Sequence, residues 1–548
     1  MINSDKTNLI LKYTLKNALD YNGKANFQSV LGRILSEKPE LKQNIKDLAK
    51  EINETIKKVN SMKLEQIKKE ISKYDFEEKK HEERDFKKLE NVSGKVITRI
   101  APEPSKYLHI GHALVFIINS GYAYKYKGRC ILRLEDTNPE KSEKEYVNSI
   151  LEDLKWLKIK YDKKIICSKR MKIYYDYAEK LINMGKAYVC FCSRDKIKKL
   201  RHEKTRCECY NKSVKENLSE WKRMLSKKYS PGKANLRLLG DMESNNGTLR
   251  DPIIFRISNA KHYLLGNKHI VWPLYDFENS IEDSILGITH VVRSKEFELR
   301  AELQDLIKDY LNLKKQEVIE IGRFNILGAV TQGREIRELI EKRKVSGWDD
   351  PRLVTIKSLR RRGFIPESFH ELAKGAGLSK SETNIDIRIL ASINRKLIDD
   401  RTKRYSVIFT PKKIKIENAP ELKVKAPLHP DHNYGFRNFT TKKEYYIQDN
   451  LEKNQNYRFM HLFNFRDNKF ISRELDKNLD ARLIHWLPVS KDLVNVEVMM
   501  DDGKIIKGFG ESNLKKVKVN EIVQFERNFF AKLDKKEKNK LIFWFTHK

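Results

Sequence analysis

Between residues 95 and 157 the chain alternates apolar runs of strand type with runs of helical period: KVITRI, then HIGHALVFIINSGYAYKY, then RCILRLEDT, then SEKEYVNSILEDLKWL. Strand, helix, strand, helix at this spacing admits few folds. Parallel neighbours need a crossover long enough to hold a helix, and such crossovers are almost always right-handed, so the pattern predicts a parallel sheet covered by helices. Sheets of this kind bind ligands beyond the carboxyl ends of their strands. The run YLHIGHALVF opens the first crossover helix at that end and sets His109 and His112 in an otherwise apolar stretch. A buried imidazole needs a partner for each ring nitrogen, so two of them three residues apart are either a costly structural choice or a place where something polar arrives.

At 548 residues the chain is too long for one core and divides into several domains. Residues 1–92 read as helical: LKQNIKDLAKEINETIKKVNSMKLEQIKKEISKY repeats apolar positions at three and four with Lys and Glu between, and the charged run EEKKHEERDFKK follows as a linker or fraying helix end. The α/β pattern occupies 93–330, interrupted at 188–268 by an insertion with four cysteines and the turn-rich GDMESNNGTLRDP. A helical connecting segment covers 331–402. From 403 to 548, stretches such as RYSVIFTPKKIKIENA, LVNVEVMMDDGKIIKGFGE and NEIVQFERNFFAKL alternate apolar and polar residues around turns, which predicts a β-barrel region.

Lys and Arg number 111 against 76 Asp and Glu, a net charge of +35, and such an excess favours a polyanionic partner, nucleic acid first. Lys and Glu are mixed nearly everywhere, so solvated surface accounts for part of it. The start of the chain carries no signal pattern and the most apolar stretch, LVFIIN, is far too short to span a bilayer, so a soluble, cytoplasmic protein is expected, with no membrane partner. Cys190, Cys192, Cys207 and Cys209 form two C-x-C pairs that suit a closed tetrahedral zinc; the alternative is four free thiols on a loop.

Four separated segments resemble one family. TRIAPEPSKYLHIGHA carries the HIGH signature of class I aminoacyl-tRNA synthetases, and LRLEDTNP, WPLYDFENSIEDSILGITHVVRSKEF and SGWDDPRLVTIKSLRRRGF are similar in order and spacing to glutamyl-tRNA synthetases. The helical start and the barrel end, with LHPDHNYGFRNF and VQFERNFF, look like the archaeal type, whose anticodon-binding part is similar to that of glutaminyl-tRNA synthetases. The resemblance implies a class I Rossmann-type catalytic domain with an inserted acceptor-end subdomain and a C-terminal β-barrel anticodon-binding region. It implies that His109 and His112 stabilise ATP phosphates and that Gly111 leaves bare backbone for the adenine ring. It also implies that Arg99 holds a substrate carboxylate, Glu135 pairs with the α-ammonium, and Tyr275, with Asn279, hydrogen-bonds the bound glutamate. Arg293 would select the substrate, since a guanidinium meets a side-chain carboxylate with two charge-assisted bonds while an amide leaves one fork partly unpaired. The alternative is an ion pair from Arg293 to Glu296 or Glu298 on the same helix.

Two positions depart from the family pattern. The KMSKS-type loop should lie shortly before GWDDPR, where the chain reads QGREI, with Glu335 in place of the usual lysine. A carboxylate cannot neutralise departing pyrophosphate, so Arg334 is expected to serve, with Lys106, which replaces a usual glycine, as a second cation near the triphosphate. The expected activity is ATP- and Mg²⁺-dependent ligation of L-glutamate to tRNA-Glu, and to tRNA-Gln as an extension, by a monomer. The cysteines would hold a structural Zn²⁺. The alternatives are glutaminyl-tRNA ligase and, of another class, a tRNA-binding paralogue that no longer activates amino acids.

Overall fold

The computed structural model describes residues 2–20, 23–62, 64–74 and 85–548, and the chain separates into two units, residues 1–83 and 84–548. In the first unit, helices Ile2–Asp20, Phe27–Glu37, Ile45–Asn60 and Leu64–Ile71 bury Leu9, Ile10, Val30, Ile34, Leu48 and Ile52 together. Leu48, Ile52 and Val59 recur on one face of the third helix, and a polar residue, Asn26, caps the second by accepting the Ser29 N–H at 3.2 Å. The helical region expected to reach residue 92 is shorter. Its last described helix ends at Ile71 and residues 85–92 form no helix, while most of the charged run EEKKHEERDFKK lies outside the described residues.

In the second unit, strands Ile97–Ile100, Arg129–Leu134 and Lys163–Ile166 lie parallel in that order, with helices Ile110–Lys125 and Lys144–Trp156 as the crossovers. Strand His290–Ser294 pairs in parallel with Glu317–Ile321 and is tied to the first strand, where Thr289 N donates to Ile97 O at 2.9 Å and Ile97 N to Thr289 Oγ1 at 2.8 Å. This is the parallel sheet the alternation predicts. The insertion is a four-stranded antiparallel sheet of Ala187–Cys190, Asn235–Leu238, Ile253–Ile257 and Val271–Pro273, so its last strand runs a few residues beyond the expected 188–268.

Helix Tyr275–Ile285, which returns the chain to the parallel sheet, inverts the usual burial pattern. Glu278, Asn279, Ser280, Glu282 and Asp283 are all buried. Charged side chains are kept out of water only when partners meet them, so this helix marks where the fold gives up stability for chemistry.

Helices Gly333–Glu341, Ile356–Arg362, Pro366–Ala376 and Ile387–Ile398 connect to the all-β end. There, seven strands run in the order Arg404–Tyr405, Ile522–Phe525, Phe529–Glu537, Lys540–His547, Val494–Met499, Ile505–Gly510 and Val407–Phe409. The first and last of these are two pieces of one stretch, separated by Ser406, so the sheet nearly closes on itself as a barrel and leaves little free edge. Val407, Val496, Phe525, Leu533 and Phe543 fill its interior, and a second aromatic core of Tyr445, Tyr457, Phe459, Phe463 and Phe465 lies under the strands between. Among the described residues no helix is long and apolar enough to cross a membrane.

Candidate active site

A cavity of about 790 Å³ opens beyond the carboxyl ends of the parallel strands and the start of the first crossover helix. It is lined by Arg99, Lys106, His109, Gly111, His112, Glu135, Tyr275 and Arg293, among others. The ATP- and amino-acid-site residues singled out from the sequence between positions 99 and 293, Asn279 apart, therefore converge on one place.

The two histidines cap their own helix. His109 Nδ1 accepts the Gly111 N–H at 3.1 Å, and His112 Nδ1 accepts the His109 N–H at 3.2 Å, with ring centroids 3.8 Å apart. Burial, with Lys106 and Arg323 adding like charge, pushes His109 down to about 3, and burial with His109 and Lys106 pushes His112 well below the ordinary imidazole value. Both rings are neutral near pH 7. A neutral ring whose Nδ1 accepts carries its proton on Nε2, so the hydrogen-bond pattern assigns two Nε2–H donors beside the free N–H groups of a helix start. Gly111 has a structural reason besides room for a ligand: a Cβ there would lie 3.0 Å from His109 Cε1 and 3.2 Å from Nδ1, displacing the capping ring. Backbone bonds Ile110 N to Val354 O at 3.3 Å and Ile356 N to Leu108 O at 2.9 Å fix the motif against the segment that follows GWDDPR.

Around the strand ends lies a buried ionic network. Arg133 donates from Nη1 to Asp283 Oδ1 at 2.5 Å and from Nη2 to Glu135 Oε1 at 2.7 Å. Arg99 Nε reaches the same Asp283 oxygen at 3.1 Å, and its terminal nitrogens have no protein partner among the described residues. Asn279 does not line the cavity. Its Nδ2 donates to Glu135 Oε1 at 3.2 Å, so it orients Glu135 from behind. The Tyr275 hydroxyl, pushed up to about 12 by burial and the nearby Glu135, stays protonated and able to donate.

Arg293 sits on a strand rather than a helix and pairs with neither Glu296 nor Glu298. Its Nη1 donates to the neutral amide of Gln304 at 2.7 Å, Glu320 stands 3.6 Å from Nη2, and its buried Nε has no partner. A guanidinium so placed has donors to spare for an incoming carboxylate.

The loop expected to supply a substitute cation is arranged differently. Arg334 is 87% exposed, pairs with Glu338 at 3.1 Å and does not line the cavity; Glu335 is exposed as well. Besides Arg99 and Arg293, the cations that line the cavity include Lys106 and Arg323, the latter paired with Glu296 at 2.9 Å, and Lys141, Arg256 and Arg300. Lys106 makes no ion pair or hydrogen bond among the described residues, and burial lowers its affinity for its proton.

Apart from this cavity, Cys190, Cys192, Cys207 and Cys209 bring their four sulfurs within 4.8 Å of one another. Two sulfurs sharing a tetrahedral zinc at about 2.3 Å lie about 3.8 Å apart, and Cys190 and Cys207 are 3.7 Å apart. The Cys190 thiol, the Tyr188 hydroxyl and the Arg237 guanidinium all favour the thiolate form of Cys207. The donor set and spacing fit a metal ion of zinc type.

Residues 95–400 match tRNA synthetases class I (E and Q), catalytic domain, and residues 402–484 and 483–534 match the anti-codon binding domains of the same group. The chain belongs to the class I glutamyl- and glutaminyl-tRNA synthetase family. As a member it is an aminoacyl-tRNA ligase. A glutamate–tRNA ligase of Methanocaldococcus jannaschii is 38% identical over 552 residues, covering 98% of this chain and 99% of that one. One of Pyrococcus horikoshii is 39% identical over 570 residues, covering 99% of this chain and 100% of its own length. The solved glutamate-tRNA synthetase of Elizabethkingia anophelis aligns over 56% of this chain and 70% of its own with 20% identity and a TM-score of 0.41.

Sequence reasoning missed four members of the site. Arg133 and Asp283 read as ordinary strand and helix residues, Arg323 follows a strand end with no motif around it, and Glu278 was hidden inside YDFEN. Glu278 had a usable signal: it stands one helical turn from Tyr275 and so shares its face.

Proposed function

We propose that the chain is a glutamate–tRNA ligase, which joins glutamate and ATP as glutamyl-adenylate and passes the glutamyl group to the 3′-terminal ribose of tRNA-Glu. The observation that carries this reading is that one cavity holds both the imidazole pair at a helix start and Arg293 with unsatisfied donors. The relatives named glutamate–tRNA ligase over the full length support it.

In the first step an α-carboxylate oxygen of glutamate attacks the α-phosphorus of ATP, and the bond from that phosphorus to pyrophosphate breaks. Charge grows on the phosphate oxygens. The Nε2–H groups of His109 and His112, locked by their Nδ1 contacts, are donors that need no rearrangement when this charge appears. Lys106 takes the place of the missing loop lysine and meets the leaving pyrophosphate; Arg334, exposed and paired with Glu338, has no such part. Mg²⁺ enters with the nucleotide and neutralises further phosphate charge. Arg99 and Tyr275 hold glutamate, Glu135 receives its ammonium, and Arg293 grips the side-chain carboxylate. In the second step a ribose hydroxyl attacks the acyl carbonyl and AMP leaves.

The antiparallel insertion, whose Cys190, Cys192, Cys207 and Cys209 would hold a structural zinc, serves the acceptor end of tRNA, and the barrel region serves the anticodon. In NYGFRNF, Tyr434 and Phe436 are exposed and Lys425 lies 4.1 Å over the Phe436 ring, a surface suited to stacking splayed bases. Arg437 is buried between Glu511 and Glu526 and belongs to the core. Incubation with ATP, labelled glutamate and tRNA-Glu tests the reading. Glutamyl-tRNA should accumulate, and charging by glutamine alone would contradict it.

A further inference from the structure

The cavity holds a carboxylate that the roles above leave unused. Glu278 lies on helix Tyr275–Ile285, one turn after Tyr275, with 2% of its surface exposed and a place in the cavity wall. Its Oε2 accepts the Thr137 hydroxyl; its buried Oε1 meets no donor in hydrogen-bond geometry among the described residues, with the Cys167 thiol the weak donor beside the carboxylate. It makes no ion pair among the described residues. Glu135, by contrast, is already engaged at Oε1 by Arg133 and Asn279. The unpaired side chain of the pair is therefore Glu278, and a buried acceptor left without a full donor is destabilising, a cost a fold retains when a ligand removes it.

Substrate charge completes the argument. Glutamate brings two carboxylates and one ammonium, and the arginines that could meet the carboxylates are Arg99, with free terminal nitrogens, and Arg293, with an unpartnered Nε. The ammonium needs a partner of negative charge, and three N–H donors suit more than one acceptor. We infer that Glu278 is a second ammonium-binding carboxylate, closing with Glu135 around the α-ammonium of the amino acid. This rests on the proposed glutamate site and names a residue within it.

The environment agrees. Burial, and then the neighbouring Glu135, push Glu278 up to about 8, with Cys167, Thr137 and Arg133 opposing. Facing it are Glu135, Arg133 and Thr137 from the second strand and the turn after it, Cys167 from the segment after the third strand, and Tyr174 from the following helix. Two carboxylates in one dry wall resist ionising together, and a cation between them relieves the repulsion. With no amino acid bound, burial and Glu135 favour the protonated form of Glu278, and an ammonium between the two carboxylates would favour release of that proton. The sign is definite: glutamate affinity should rise with pH up to about 8, with a proton released on binding near pH 7.

Glu278→Gln and Glu278→Ala in the full chain, with glutamate and its deamino analogue glutarate as competing ligands, test the assignment. Wild type should prefer glutamate. Both variants should weaken glutamate by about ten- to a hundred-fold, the range of a charge-assisted bond, leave glutarate and ATP within about twofold, and flatten the pH dependence of the glutamate KM. Glutarate serves as the folding control, because a collapsed site would lose both ligands. Equal losses of glutamate and glutarate, or unchanged glutamate affinity, would overturn the inference. A wild-type protein that fails to bind glutamate at all would instead sink the underlying functional reading.

Discussion

The aliphatic stem of Lys106 lies against Gly333, where a Cβ would meet Lys106 Cδ at 3.0 Å and Cβ at 3.1 Å. The two departures from the family pattern are thus in contact: the residue that replaces the usual glycine of the first signature packs on the segment that lost the lysine of the second. Arg337 Nη1 adds a bond to Ser105 O at 3.1 Å, joining the same two segments.

This arrangement separates Lys106 from Arg334. Lys106→Met should lower the rate of glutamate-dependent pyrophosphate exchange by about a hundred-fold, the usual cost of removing one preorganised donor to a developing anion, with Lys106→Arg recovering part of it. Arg334→Ala should stay within about twofold, as expected of an exposed i,i+4 pair. The reverse order of effects would place the substitute cation on the loop.

The imidazole pair makes a prediction about pH. An ordinary histidine titrates near 6.5, whereas His109 is held down to about 3, so the exchange rate should show no histidine limb on the acid side between pH 8 and 5. For stability the sign runs the same way. The unfolded chain binds a proton at His109 below 6.5 and the folded one does not, so this group's contribution is lost as pH falls from 6.5 toward 3. His109→Asn keeps an oxygen able to cap the helix but removes the Nε2–H donor. It should cost about a hundred-fold in exchange rate, and melting curves at pH 7 and pH 5 should show the gap to wild type shifting in the variant's favour at the lower pH.

Purified protein should carry one equivalent of zinc by elemental analysis, and Cys207→Ser should lose most of it. Because the cluster joins the strand ending at Cys190 to the segment at Cys207 and Cys209, chelation should expose the insertion to protease while leaving the remote His109 cavity able to bind ATP. Zinc content unchanged in the Cys207 variant would remove the metal from the account.

The parallel sheet and barrel were legible because strand and helix periods differ and because each run is long enough to register one or the other. The site was legible in part, through residues that sit in recognisable segments: His109, Glu135, Tyr275 and Arg293 all reach one cavity. What escaped were relations across the chain. Asn279 and Tyr275 share a helix, but only the fold reveals that one faces the cavity while the other braces Glu135. Arg334 looked suitable because sequence distance from a missing lysine says nothing about which way a helix face turns, and helix Gly333–Glu341 turns Arg334 to water and Gly333 to Lys106. The alternative that set Arg293 on one helix with Glu296 and Glu298 fails for a similar reason: HVVRS is an apolar run too short for its period to decide, and it forms a strand.

On the proposed function, this cavity activates glutamate and Arg293 selects it. Amino-acid-dependent exchange of labelled pyrophosphate into ATP, with tRNA present, tests it directly in wild type and Arg293→Gln. The account predicts exchange with glutamate and little with glutamine in the wild type, and a loss of about a hundred-fold or more for glutamate in the variant, as expected when a charged partner in a buried site is removed. Exchange driven by glutamine, or glutamate exchange that survives the loss of Arg293, would contradict it.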